Sequence, residues 1–199
     1  MPNPRLVSLL SASAETDMFG LDLRDRNPWQ YVAMESEDLP TCADIHEESF
    51  SPAWTAGTIA SLLNSPGMRG LVALRTGKKK RKVHGFILYR VVADEAEVIT
   101  IVTARRARRR GAAQELMLAA IRDCLTDRVV KISLEVDEEN LAARMLYASL
   151  GFRKAGERKG YYHSGANPEA QSSTASVSTS KPVNPEPGNA VIMVLELTD

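Results

Sequence analysis

The stretch from Glu95 to Leu125 constrains the fold most: a β-branched run, EAEVITIVT, breaks at an arginine-rich turn and resumes at once as an amphipathic helix. From Ala112 to Leu125 the apolar residues Leu116, Met117, Ala120, Ile121 and Cys124 fall along one side, as in a helix packed on a sheet. Lys131 to Asp137 then alternates, with Ile132, Leu134 and Val136 on one face and Lys131, Ser133, Glu135 and Asp137 on the other, the pattern of a half-buried strand. Strands alternating with helices in this way predict an α/β fold.

The flanking segments extend it. Trp29 to Met34 reads as a short strand, and Asp38 is placed to cap a helix with Pro40 in its first turn and Leu39, Cys42, Ile45 and Phe50 at helical spacing. Pro52 interrupts that helix, Thr55 caps a second one carrying Ile59, Leu62 and Leu63, and Asn64-Ser65-Pro66-Gly67 ends it. Gly70 to Arg75 and Val83 to Val91 read as a hairpin, and Glu97 to Thr103 completes a meander. Asn140 caps a last helix that runs to Leu150 and stops at Gly151, a residue suited to a left-handed C-terminal cap. Ala190 to Leu197 is an apolar run that returns to the sheet. The expected sheet is mixed and mostly antiparallel, with helices flanking it.

Two segments fall outside this pattern. Residues 1–27 mix Pro, Ser and charge without a period and read as a flexible extension, which leaves residues 28–199 as one domain. Within it, 164–189 is rich in Ser, Thr, Pro and Asn and reads as a disordered insertion before the last strand.

Lys plus Arg equals Asp plus Glu at 25 each, so nucleic acid is not expected as the main partner. The charge is unevenly spread: residues 35–48 hold six acids and no Lys or Arg, whereas RTGKKKRK at 75–82 holds six basic residues and no acid, which predicts two faces of opposite sign. Cys42 and Cys124, the only cysteines, have no CxxC or Cys/His spacing, so neither a disulfide framework nor a metal site is expected. No apolar run near the start is long enough for a signal-peptide core or a membrane span, and the expected location is cytoplasmic. His46, His84 and His163 show no ligand spacing and read as ordinary surface or core residues; Trp29 and Trp54 read as core.

Arg108-Arg109-Arg110-Gly111-Ala112-Ala113 lies where a strand hands over to a helix. Small residues there let backbone N–H groups approach a ligand, and a helix N-terminus favours negative charge, so the turn suits a pyrophosphate. Neither GxxxxGK nor GxGxxG is present, which points to another phosphate-bearing cofactor. Such an arginine cluster is also compatible with a solvated surface or a nucleic-acid patch.

The segments that follow decide between these. In order, EAEVITIVT, the RRRGAA turn, ISLEV, the Asn140 to Tyr147 stretch NLAARMLY, ASLGF and the Tyr161-Tyr162 pair resemble the GNAT superfamily of acyl-CoA-dependent N-acetyltransferases, and within it the RimI branch of protein N-terminal alanine acetyltransferases. The resemblance implies acetyl-CoA as co-substrate, no metal, and backbone groups of Ile101, Val102 and Thr103 on the acetyl and pantetheine part. It implies that Arg109, Arg110, Gly111, Ala112, Ala113 and Gln114 cradle the pyrophosphate and that Asn140 also contacts the cofactor. Glu135 resembles the general base and Tyr147 the general acid, while Trp54, Tyr161 and Tyr162 resemble residues that border the acceptor. The implied partner is a protein or peptide N-terminus, a ribosomal protein among the candidates.

The chemistry needs both roles. An α-amine of pKa ~7.7 to 8.0 is largely protonated at neutral pH and attacks a thioester only after losing that proton, and the departing thiolate needs a proton in return. Three departures from the family pattern stand out: Ala113 replaces its usual second glycine, Arg105 its usual turn proline, and Phe50-Ser51-Pro52-Ala53-Trp54 its Phe-Pro-Trp order. Two alternatives remain at this point: the same transfer to a lysine side chain or small amine, and a non-catalytic acyl-CoA- or RNA-binding module that uses the two basic segments.

Overall fold

A computed structural model describes residues 29–75, 81–158 and 189–197. Seven strands form one sheet: β1 (Trp29–Ala33), β2 (Met68–Arg75), β3 (Val83–Val92), β4 (Glu95–Thr103), β5 (Lys131–Asp137), β6 (Arg153–Arg158) and β7 (Ala190–Glu196), in the order β1-β2-β3-β4-β5-β7-β6. Four α-helices accompany them among the described residues: α1 (Leu39–Glu47), α2 (Ala56–Leu63), α3 (Ala112–Thr126) and α4 (Leu141–Ser149). Every pairing is antiparallel except β4 with β5, which α3 joins as a parallel crossover.

The core lies on both faces of the sheet. On one face Leu116, Met117 and Ile121 of α3, with Tyr147 of α4, pack with Ile87, Tyr89, Ile132, Leu134 and Val191. On the other, Cys42 and Ile45 of α1 and Ile59 of α2 pack with Val72, Phe86, Leu88 and Val102. β3 lies between them, which is why its run from Val83 to Tyr89 is buried without alternation.

Two expected caps form: Thr55 Oγ1 accepts from the Thr58 N–H at 3.1 Å and Asn140 Oδ1 from the Ala143 N–H at 3.1 Å. Gly151 ends α4 with φ 96°, in the left-handed region. Asp38 differs from expectation. It occupies the N-cap position of α1 but makes no side-chain cap there, because a single 3-10 turn over Ser36–Asp38 directs its carboxylate back to the Glu35 N–H at 2.9 Å.

That carboxylate also holds Arg81, through Nε at 2.9 Å and Nη2 at 2.8 Å, and the same guanidinium reaches Glu35 and Glu37. Arg81 of the basic segment is thereby tied to the acidic one, while residues 76–80, on which the expected basic face mostly rests, lie outside the described residues. Phe50 also departs from expectation: α1 ends at Glu47, the chain turns back with the Phe50 N–H on the His46 carbonyl, and the ring stands 41% exposed. β6, with the polar sequence RKAGER, is a strand that the periodicity did not predict. The expected flexible extension, the bulk of the insertion, Tyr161, Tyr162 and His163 lie outside the described residues.

The Asp38 pair carries a pH signature. Burial alone raises the pKa of this carboxyl, but hydrogen bonds from Arg81 and Glu35 and the charge of Arg81 outweigh it and hold the pKa below its ordinary value. A depressed native pKa contributes stability that is fully present above the unfolded value, ~3.9, and is lost as pH falls through the native one. Asp38→Asn is expected to cost about 1–3 kcal/mol at pH 7. It should also flatten the fall of stability below pH ~4, as read from urea unfolding midpoints across pH.

Candidate active site

β4 and β5 pair only from Glu95 to Val98 against Lys131 to Leu134. Opposite Leu88 and Tyr89 the β4 register slips by one residue at Ile99, a bulge that bends the strand. Beyond it β4 stays bonded to β3 and β5 to β7, but no longer to each other, so their facing edges open a cleft. A cavity of about 1270 Å3 fills that cleft, larger than the ~300–1,000 Å3 of pockets for drug-sized molecules and so suited to a long ligand.

One end of the cavity is the arginine turn. Arg109 (φ 59°) and Gly111 (φ 80°) both take left-handed backbone conformations just before α3. A Cβ added to Gly111 meets nothing within 4 Å, so the space above it is open. The first intrahelical bond runs from Glu115 to the Gly111 carbonyl, which leaves the N–H groups of Ala112, Ala113 and Gln114 without helical acceptors at the positive end of the dipole. All three residues line the cavity, with Arg108, Arg109 and Gly111. The turn is braced by the residues that follow α1: the Arg105 N–H donates to Glu48 Oε2 at 2.7 Å and Arg108 Nη2 to Ser49 Oγ at 2.8 Å. Free amides, local positive charge and an open glycine fit a pyrophosphate group.

Along the cleft, Ile101 and Thr103 line the cavity from β4. Val102 points the other way into the core, 4% exposed, and does not line it; Arg110 does not either, its carbonyl accepting from Trp29 Nε1 at 2.9 Å. Asn140 lines the cavity although its Oδ1 is engaged in capping α4.

Glu135 and Tyr147 line the same cavity, from β5 and α4. Glu135 lies one residue past the last paired position of the parallel pair, on the polar face of its strand. Its Oε1 pairs with Arg158 Nη2 of β6 at 3.1 Å, across the intervening β7, and its Oε2 is buried without a hydrogen-bond partner among the described residues. A buried carboxylate oxygen with no donor is costly unless a ligand supplies one. Tyr147 is buried, 6% exposed, its ring tilted against Phe152 at 5.9 Å. Trp54 is partly buried, packs against the core as its apolar bulk suggested, and also lines the cavity from the loop between α1 and α2.

Three participants escaped the sequence reading. His46, expected as an ordinary surface or core residue, and Phe50, expected on the helix at apolar spacing, stack on each other and line the cavity. Their spacing of four residues is the one signal that pairs them. Arg158 carried no signal, since its pairing with Glu135 depends on how β6 and β5 both register on β7.

Among the described residues no group of His, Cys, Asp and Glu is placed to hold a metal ion, and no helix is long and apolar enough to cross a membrane. A splayed parallel pair and a phosphate-fitting helix start, with a carboxylate lining the cavity between the strands, suit an extended phosphate-bearing ligand. The profile described as "Acetyltransferase (GNAT) family" matches residues 39–152, more than half of the chain, and the chain belongs to that family: it is an acetyl-CoA-dependent N-acetyltransferase. The reading as a non-catalytic module is thereby set aside.

The relatives agree. The chain is 32% identical over 130 residues to the [ribosomal protein bS18]-alanine N-acetyltransferase of Escherichia coli K12, covering 65% of this chain and 84% of that one. It is 27% identical over 126 residues to the enzyme of the same name from Haemophilus ducreyi, covering 63% and 83%. The crystal structure of the E. coli ribosomal-protein-S18-alanine N-acetyltransferase superposes with a TM-score of 0.67 at 26% identity, over 86% of this chain and 95% of that one.

Proposed function

We propose that the acceptor is the N-terminal α-amine of a protein that begins with alanine, such as a small-subunit ribosomal protein, and that Glu135 and Tyr147 handle the two protons of the transfer. The acceptor class is supported by the relatives that share its sequence, which are named for alanine acetylation of ribosomal protein bS18. The observation that carries the assignment of the base is the asymmetry of the Glu135 carboxylate: Oε1 is held by Arg158, while Oε2 is buried and bare.

In this reading Oε2, directly or through a water, takes the proton of the acceptor ammonium. The freed amine forms a C–N bond to the acetyl carbon, the C–S bond breaks as the Tyr147 hydroxyl gives its proton to the departing sulfur, and the second proton that the nitrogen sheds as the amide forms makes good, directly or through water, the one that the tyrosinate lacks. The nitrogen attacks directly, so no covalent link to the enzyme forms. The amides of Ala112, Ala113 and Gln114 anchor the pyrophosphate, and the open edge of β4 at Ile101 and Thr103 offers backbone groups to the pantetheine arm.

A lysine acceptor asks more of the base, because its ammonium has a pKa of ~10.4. Thiol release is therefore to be measured with acetyl-CoA and either an Ala-first peptide or an N-blocked peptide bearing one lysine. The Ala-first peptide is expected to be turned over at least about tenfold faster in kcat/KM. Turnover confined to the blocked peptide overturns the assignment.

A further inference from the structure

Among the described residues, His46 is the one buried titratable side chain on the cavity wall to which the proposed reaction gives no role. It sits in the last turn of α1, 3% exposed. Its ring is stacked between Phe50, with centroids 4.5 Å apart and planes at 26°, and Trp54, at 4.7 Å and 14°. Its Nδ1 accepts from the Trp54 backbone N–H at 3.1 Å.

A ring nitrogen that accepts carries no proton, so in the neutral ring the proton lies on Nε2. Burial pushes the pKa down to about 4, which keeps the ring neutral and Nδ1 an acceptor throughout the range in which an α-amine reacts. The three rings thus form one stack fastened by one hydrogen bond, and all three line the cavity. Phe50 is held in this stack although it is 41% exposed, which is unlike a residue buried for its own stability. A wall fixed before the acceptor arrives spares the ordering cost that binding otherwise carries.

We propose that His46 is a positioning residue for the acceptor: it ties Phe50 and Trp54 into a rigid aromatic wall and so sets the width of the entrance through which the amine reaches the site. This rests on the reading that Trp54 borders the acceptor, whichever amine that acceptor carries. No proton passes through His46. Its contribution is geometric, and it belongs to acceptor binding rather than to the chemical step.

The test compares His46→Ala, which removes ring and acceptor, with His46→Phe, which keeps a ring, and His46→Asn, whose Oδ1 can accept the Trp54 N–H. For the amine that the unaltered enzyme turns over best, His46→Ala is expected to raise the acceptor KM about tenfold. The kcat and the KM for acetyl-CoA should stay within about twofold, and Asn and Phe should each recover part of the loss. Amide exchange at Trp54 should quicken about tenfold in His46→Ala, a readout that needs no acceptor. An unchanged acceptor KM, unchanged Trp54 exchange, or equal losses in all three kinetic constants overturns the proposal. Should His46→Ala not fold, the smaller change His46→Asn carries the same comparison against His46→Phe. If the best amine proves to be a lysine, the α-amine assignment fails while this comparison stands.

Discussion

Replacing Glu135 by Gln is expected to lower kcat/KM for an Ala-first peptide by about 10²- to 10⁴-fold at pH 7, with the unfolding midpoint near that of the unaltered protein. Glutamine keeps the shape of the side chain and can still bond to Arg158, but it cannot take a proton. The loss should be pH-dependent in a way that a structural defect is not. As pH rises through the α-amine pKa of ~7.7 to 8.0, the acceptor increasingly arrives unprotonated and has less need of a base. The gap between the variant and the parent should therefore narrow above pH 8. For a lysine acceptor the narrowing would begin only toward pH ~10, so the profile reports on the acceptor as well as on the base. A variant within about threefold of the parent at pH 7 removes Glu135 from the chemistry.

Arg158 gives this prediction its edge. Its guanidinium, 3.1 Å from Oε1, engages one of the two carboxylate oxygens, which leaves Oε2 as the one that faces the reaction in our reading. Nothing in the order of residues reveals this. β6 is polar and exposed at nearly every position, so it has no periodicity to read, and it exists as a strand because its backbone pairs with β7. Edge strands of this kind are specified by a partner distant in the chain rather than by local pattern.

The elements that were legible are those in which local chemistry and tertiary burial agree. Lys131 to Asp137 alternates in sequence and alternates in burial, and that alternation alone places Glu135 on the polar face. Thr55, Asn140 and Gly151 act where their side chains or backbone freedom suggested. What stayed hidden arises between segments. Arg81 joins the basic segment to the acidic one, the bulge at Ile99 interrupts a run with no glycine or proline to announce it, and Phe50 leaves its helix to stack on His46. The cleft itself belongs to this class. It exists because β4 and β5 part after Val98 and Leu134, a matter of register and twist that no single residue encodes.

Tyr147→Phe separates the second proton from the first. The ring is buried against Phe152 and its apolar contacts survive the change, so the fold should hold while kcat falls by about 10²-fold or more. If the hydroxyl serves the departing sulfur, the deficit should follow the basicity of that sulfur. An acetyl donor whose thiol is more acidic needs less help in leaving, and with it the variant should approach the parent, while Glu135→Gln stays impaired. The pH profile should differ too: Tyr147→Phe is expected to keep its deficit above pH 8, where Glu135→Gln recovers. Equal recovery of both variants with a better leaving group would place the two side chains on the same step. A deficit in Tyr147→Phe that appears only in the KM for acetyl-CoA would make Tyr147 a wall of the donor site and not a proton source.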